Sequence, residues 1–187
     1  MTATILPNVF LIGPMGSGKS AVGRQLAKQL HLDFYDSDTE IELRTGVNIP
    51  YIFEREGEAG FREREREVIE SLTQLQHVVI ATGGGAILLP QNRDALSARG
   101  VVVYLRASIQ QQLERTRHGK HRPLLYTEDP EARLRELMAV RAPLYESLAA
   151  IIVDTDGRQV RVVADEIVHR LSELRATPPQ SVESNVH

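Results

Sequence analysis

The chain is predicted to be a three-layer α/β/α protein with a five-stranded parallel sheet, and three observations carry that prediction. Five short apolar runs are spaced along 187 residues. Helical apolar patterns separate them, which is the signature of a parallel sheet covered on both faces. No internal repeat or linker divides the chain, and its length fits one compact domain with a real core.

The elements follow in order. Asn8-Val-Phe-Leu-Ile-Gly13 is a continuous apolar run ending in a glycine loop, as expected of a strand buried on both faces. Residues 18–30 repeat apolar positions at helical spacing through Val22, Leu26 and Leu30. Asp33-Phe-Tyr-Asp36 is a second strand ending in acids. Short helices are expected over 39–45 and 49–56, split at Gly46, and a longer one over Gly57 to Leu75. In that longer helix Phe61, Val68, Ile69 and Leu72 lie on one side and charges on the other. Val78 to Thr82 is the third strand, Pro90 to Arg99 a helix, and Val101 to Leu105 the fourth strand. Ser108 with Gln111 matches a capping box. His118 to Glu128 is polar and irregular. Asp129-Pro130 reads as an N-cap with proline in the first turn. Ala150 to Asp154 is the fifth strand and Gln159 to Leu174 the last helix. The domain is expected over 1–175, and 176–187 reads as a disordered tail.

Composition excludes several classes of function. Net charge is −3, and aromatic residues make up 5% with no Trp. That argues against a nucleic-acid-binding surface, which wants basic charge and stacking platforms. No apolar run is long enough for a membrane span, and no signal peptide opens the chain. With no cysteine there is neither a disulfide framework nor a thiolate metal site. The six histidines show no metal spacing, so no zinc is expected. A cytoplasmic protein is the expectation.

In parallel sheets of this kind ligands bind at the carboxyl ends of the strands. Gly13, Asp36, Thr82 and Asp154 each fall at such an end and should gather on one edge. Gly13 to Ser20 matches G-x-x-x-x-G-K-S, with a buried strand before it and an amphipathic helix after. Glycines let successive N–H groups turn inward around an anion, and the helix adds its positive end. Lys19 would reach the outer phosphates of a nucleotide, expected to be ATP, and the Ser20 hydroxyl would ligate Mg²⁺.

Asp36-Ser37-Asp38 could flank a site, one acid holding Mg²⁺ through water and the other a substrate hydroxyl. They could also cap a helix, with Asp38 or Ser37 as N-cap. Arg64 and Arg66 read as a solvated helix face, whereas Arg62, beside Phe61 and Gly60, could point elsewhere. Arg115 to Arg122 concentrates cations around a glycine and suits a mobile lid, expected over about 115–128. It could equally be a basic surface loop. Arg141, near Pro143 in a helical pattern, is a candidate carboxylate clamp, since its fork is bidentate, or half of a helix-end salt bridge. Gly83-Gly84-Gly85 could be a permissive turn or allow close approach of a ligand.

Five motifs in order resemble the shikimate kinase family of nucleoside-monophosphate-kinase-like P-loop proteins, over about residues 8–172. They are Gly13 to Ser20, Asp36-Ser-Asp38, Phe61-Arg62-Glu63, Gly83-Gly84-Gly85, and Arg122-Pro-Leu with Arg141-x-Pro-Leu-Tyr145. The resemblance implies transfer of the ATP γ-phosphoryl group to the 3-hydroxyl of shikimate, and a sheet in the order 2-3-1-4-5. It assigns the ATP phosphates to Gly16, Ser17, Gly18, Lys19, Ser20 and Ala21, and Mg²⁺ to Ser20 and, through water, Asp36. It assigns shikimate to Asp38, Arg62, Gly83, Gly84 and Arg141, with Asp38 orienting or deprotonating the attacking hydroxyl within a substrate segment over about 36–64. Lys19, Asp38 and Arg122 are then the catalytic set, Arg122 closing from the lid onto the phosphates. Arg115 and Arg158 would lie along the adenine. Position 21 departs from the family, which often has Thr there. The implied partners are small molecules, and a monomer is expected. A gluconate or nucleotide kinase, and an inactive nucleotide switch, are the competing readings.

Overall fold

The computed structural model describes residues 7–117 and 127–176. Its sheet contains β1 (Val9–Ile12), β2 (Asp33–Asp36), β3 (Val78–Ala81), β4 (Val101–Arg106) and β5 (Ile151–Asp154). All pair in parallel, in the order β2-β3-β1-β4-β5. The helices are α1 (Lys19–Leu30), α2 (Ser37–Thr45), α3 (Ile49–Thr73), α4 (Pro90–Arg99), α5 (Ile109–Thr116), α6 (Pro130–Leu148) and α7 (Val160–Ala176), with a 3₁₀ turn at Ala86–Leu88.

Alternation along the strands builds two cores. Phe10, Ile12, Ile80 and Tyr104 point to one face and pack with Ile41, Phe61, Ile69 and Tyr145 from α2, α3 and α6. Val9, Leu11, Val103 and Val153 point to the other and meet α1 and α7 through Leu26, Val163 and Ile167. Full burial of each such side chain contributes about 1.5–3 kcal/mol. At the amino ends of the strands Asn8 ties two segments, its Nδ2 donating to the Leu75 carbonyl at 2.6 Å and its Oδ1 accepting from Val78 N at 3.2 Å.

The break expected between helices over 49–56 and 57–75 is present: Gly57, with φ 69° and ψ −176°, is non-helical and kinks α3 between two helical segments, the second ending at Thr73, short of the expected Leu75. Three other local expectations are corrected. The cap of α2 is neither Ser37 nor Asp38 but Asp36, whose side chain accepts from Asp38 N and Thr39 N. It can do so because its extended backbone stops one residue short of the helix. Only half of the capping box at α5 forms. Ser108 accepts from Gln111 N, but the Gln111 side chain is drawn off to Gly157 N at 3.2 Å. The Ser108 N–H goes instead to Asp156 at 3.0 Å. Helix α7 runs to Ala176, past the expected end at Leu174.

The strand registers put the carboxyl ends side by side. Ile12 lies opposite Tyr104, Asp36 opposite Ala81, and Arg106 opposite Asp154. Gly13, Asp36, Thr82 and Asp154 therefore share one edge, as the strand ends predict.

Candidate active site

The phosphate loop leaves β1 at Gly13 and enters α1 at Lys19. Gly13 has φ 144°, Gly16 76° and Gly18 89°, all positive values that residues with a side chain rarely adopt. A Cβ on Gly13 would also sit 2.4 Å from the Leu105 carbonyl oxygen. Gly18 is the N-cap of α1 and offers no side-chain acceptor. The first N–H groups of α1 are thus left for an anion. Lys19 folds back on the loop, its Nζ donating to the carbonyls of Gly13 at 2.8 Å and Pro14 at 2.7 Å. Ser20 donates its hydroxyl to Asp36 Oδ2. Hydroxyl and carboxylate are hard oxygen donors that suit Mg²⁺, which takes one or two protein oxygens and fills its shell from phosphates and water. Among the described residues no three His, Asp or Glu side chains gather into a metal cage.

The triple glycine follows β3, and space requires glycine at its first and third positions. Thr82 anchors it through Oγ1 to the Leu11 carbonyl at 3.0 Å, and the Gly83 N–H donates to Ser37 Oγ at 2.9 Å. A Cβ on Gly83 would meet Glu65 Oε1 at 2.6 Å and Asp38 Oδ1 at 2.8 Å. One on Gly85 would meet the Arg62 guanidinium at 2.3 Å, and one on Gly84 would lie 3.6 Å from Arg141 Nη1. None of the three has a positive φ. Charged side chains of the protein itself press against this backbone.

Those side chains come from α2, α3 and α6. Arg62 is 9% exposed and donates to Glu65 Oε2 at 2.7 Å and to Glu58 Oε1 at 3.0 Å. Desolvation works against its charge, but Glu65 and Glu58 outweigh it and hold its pKa above the usual value. Arg141, 3% exposed, is pulled below the ordinary arginine range by desolvation, partly offset by Tyr145 and reinforced by the nearby Arg62 charge. Among the described residues no carboxylate forms a salt bridge with it, so the helix-end salt bridge is set aside. It interacts with Tyr145, whose hydroxyl donates to the Gly84 carbonyl and whose ring stacks on Tyr104 at 4.9 Å.

Asp38 is strongly perturbed. Burial pushes its carboxyl up to about 7, with Glu65 and Asp36 adding repulsion and Lys19 and Arg62 opposing. Its Oδ1 and the Oε1 of Glu65 are buried without a hydrogen-bond partner. Glu65 itself is fully buried, and desolvation raises its pKa against the pull of Arg62. Sequence reasoning missed Glu65 by placing it with its charged neighbours. Arg64 and Arg66 do lie outside, paired with Glu56 and Glu63. The available signal was spacing, because 65 falls on the stripe of 61, 68 and 72.

Most of the expected site residues converge. A cavity of about 370 Å³ is lined by Gly16, Gly18, Lys19, Ser20, Asp36 and Asp38, and continues to Ala21, Gly83 and Gly84. A neighbouring cavity of about 270 Å³ joins Ser17, Gly18 and Ala21 to Arg115 and Arg158. Arg115 Nη1 donates to the Gly16 carbonyl at 2.9 Å, and Arg158 is held by the Asp154 carbonyl at 2.9 Å and Glu166 at 2.6 Å. Arg122, His118 and His121 lie outside the described residues.

The family model for shikimate kinase matches residues 15–172. A shikimate kinase of Pseudomonas syringae pv. tomato is 56% identical over 173 residues, covering 92% of this chain and 99% of the relative. That of Halorhodospira halophila is 59% identical over 163 residues, covering 87% and 92%. Among solved structures, shikimate kinase from Acinetobacter baumannii in complex with shikimate superposes with a TM-score of 0.90 at 48% identity, covering 92% of this chain and 96% of that one. The chain belongs to the shikimate kinase family and is an ATP-dependent small-molecule kinase.

Proposed function

We propose that this chain transfers the γ-phosphoryl group of ATP to the 3-hydroxyl of shikimate and that the two halves of its strand edge divide the work. The observation that supports this best is the pair of buried arginines. Arg62 and Arg141 repel one another beside Gly84 and Gly85. A bound carboxylate relieves that repulsion, in the same cluster as Asp38, whose pKa is raised to about 7.

On the donor side the N–H groups of Gly16 to Ala21 and the start of α1 hold the phosphates. Lys19 exchanges its loop carbonyls for phosphate oxygens. Ser20 and, through water, Asp36 hold Mg²⁺, which neutralises charge on the outer phosphates when bound. Arg115 and Arg158 flank the nucleotide base. On the acceptor side Arg62 and Arg141 hold the carboxylate, and the backbone of Gly83 and Gly84 meets ring hydroxyls. Asp38 orients the attacking hydroxyl and accepts its proton. Phosphoryl transfer asks for this kind of positioning and little covalent chemistry. Arg122, within a lid over about 115–128, completes the phosphate contacts. A monomer in a cytoplasmic setting completes the reading.

The test is turnover of ATP against shikimate, gluconate and nucleoside monophosphates. Rapid ADP release with shikimate alone is expected. Preference for gluconate or a nucleotide would overturn the substrate assignment.

A further inference from the structure

Arg24 lines the same cavity as Lys19, Ser20, Asp36 and Asp38, although no motif singles it out. It stands four residues after Ser20 on α1, so the two share a helix face. Its guanidinium stacks over the Phe34 ring at 5.2 Å from the centroid. That ring is itself fixed, because it fills the space at Gly23, where a Cβ would meet Phe34 Cε2 at 2.5 Å. Stacking on a ring leaves the in-plane N–H donors of a guanidinium available. No carboxylate among the described residues forms a salt bridge with Arg24. The other charges lining that cavity are the carboxylates of Asp36 and Asp38 and the cations Lys19 and Arg115.

We propose that Arg24 is a nucleotide-binding residue, its charge held by Phe34 on the Ser20 side of the phosphate cavity to attract and hold the nucleotide's phosphates. A side chain kept there only for packing would not need charge, since an apolar side chain would cover Phe34 as well. A solvated cation at the mouth of a cavity raises the local concentration of anions and contributes a modest, salt-sensitive affinity. The proposal rests on the phosphate-loop reading of Gly13 to Ser20.

The test compares Arg24→Gln and Arg24→Lys with wild type, measuring separate KM values for Mg-ATP and shikimate, kcat, and melting temperature. Arg24→Gln is expected to raise the nucleotide KM about three- to fivefold at low salt. The kcat and the shikimate KM should hold within about twofold. The difference should shrink at high ionic strength, and Arg24→Lys should recover most of it. An unchanged nucleotide KM, or a lowered melting temperature with both KM values shifted alike, would overturn the proposal. Lys19→Ala is the control. If it too leaves nucleotide affinity intact, the phosphate-loop reading fails. If it abolishes binding while Arg24→Gln does nothing, only the role of Arg24 fails.

Discussion

Two halves of one strand edge prepare for anions by different means. The donor half is largely backbone. Its anion receptor is a set of N–H groups turned inward by glycines with positive φ, and its lysine rests on loop carbonyls until a phosphate arrives. The acceptor half is side chains buried against backbone. Arg62, Glu65, Asp38 and Arg141 crowd around Gly83 to Gly85, and their pKa values are displaced by burial and by one another. A backbone receptor is generic and serves any nucleotide. A crowded ionic cluster can be selective, because each of its charges is held at a fixed position.

That contrast can be broken or sharpened by substitution. Asp38→Asn should lower kcat by about 10²- to 10⁴-fold, the usual worth of a positioned general base, while ATP affinity measured by titration stays near wild type. An unchanged rate would reduce Asp38 to a structural acid. Arg141→Met keeps the volume and removes a buried charge. It should raise the shikimate KM by about 30-fold or more, as loss of a buried charge contact does, with the ATP KM unaffected. If the ATP KM rises instead, the two halves are not separate. Gly85→Ala is the sharper probe, because its methyl displaces the tip of Arg62 without removing any charge. Overpacking costs about 1–3 kcal/mol of stability, so weaker shikimate binding, read by isothermal titration, should be accompanied by a melting temperature lowered by several degrees.

The smallest expected effect is on pH. The folded pKa of Asp38 lies above its ordinary value of 3.8, at about 7. The folded protein therefore holds this proton where the unfolded chain has lost it. The contribution of Asp38 to stability is greatest below its ordinary pKa and falls as pH rises through about 7. Turnover, which needs the carboxylate, should rise over the same range. Asp38→Asn should flatten the stability change, which chemical denaturation at several pH values would detect.

Much of this was legible in residues 1 to 187 because much of it is local. The phosphate loop is eight consecutive residues between a strand and a helix, and the alternation of apolar runs with helical patterns marks a parallel sheet, whereas the strand order came only with the family resemblance. Asp36, Asp38, Arg62 and Arg141 could be singled out by motif. What they touch could not, since Arg62 and Glu65 meet Gly83 and Gly85 only after α3 packs on the sheet. Glu65 was hidden by its neighbours, a run of exposed charges, although its position on the apolar stripe marked it as buried. The cap at Asp36 was missed because its carboxylate serves both Ser20 and the start of α2. The triple glycine was ambiguous between a turn and a ligand contact. Its actual use, room for the protein's own charges, depends on tertiary packing.

The central claim is that buried arginines read the substrate's carboxylate. The most direct test is isothermal titration of shikimate and of its methyl ester, which keeps every hydroxyl and loses the charge, into wild type and Arg141→Met. Strong preference for the acid in wild type, largely lost in Arg141→Met, is the result predicted by a direct contact. An equal preference in both proteins, or none in wild type, would contradict it.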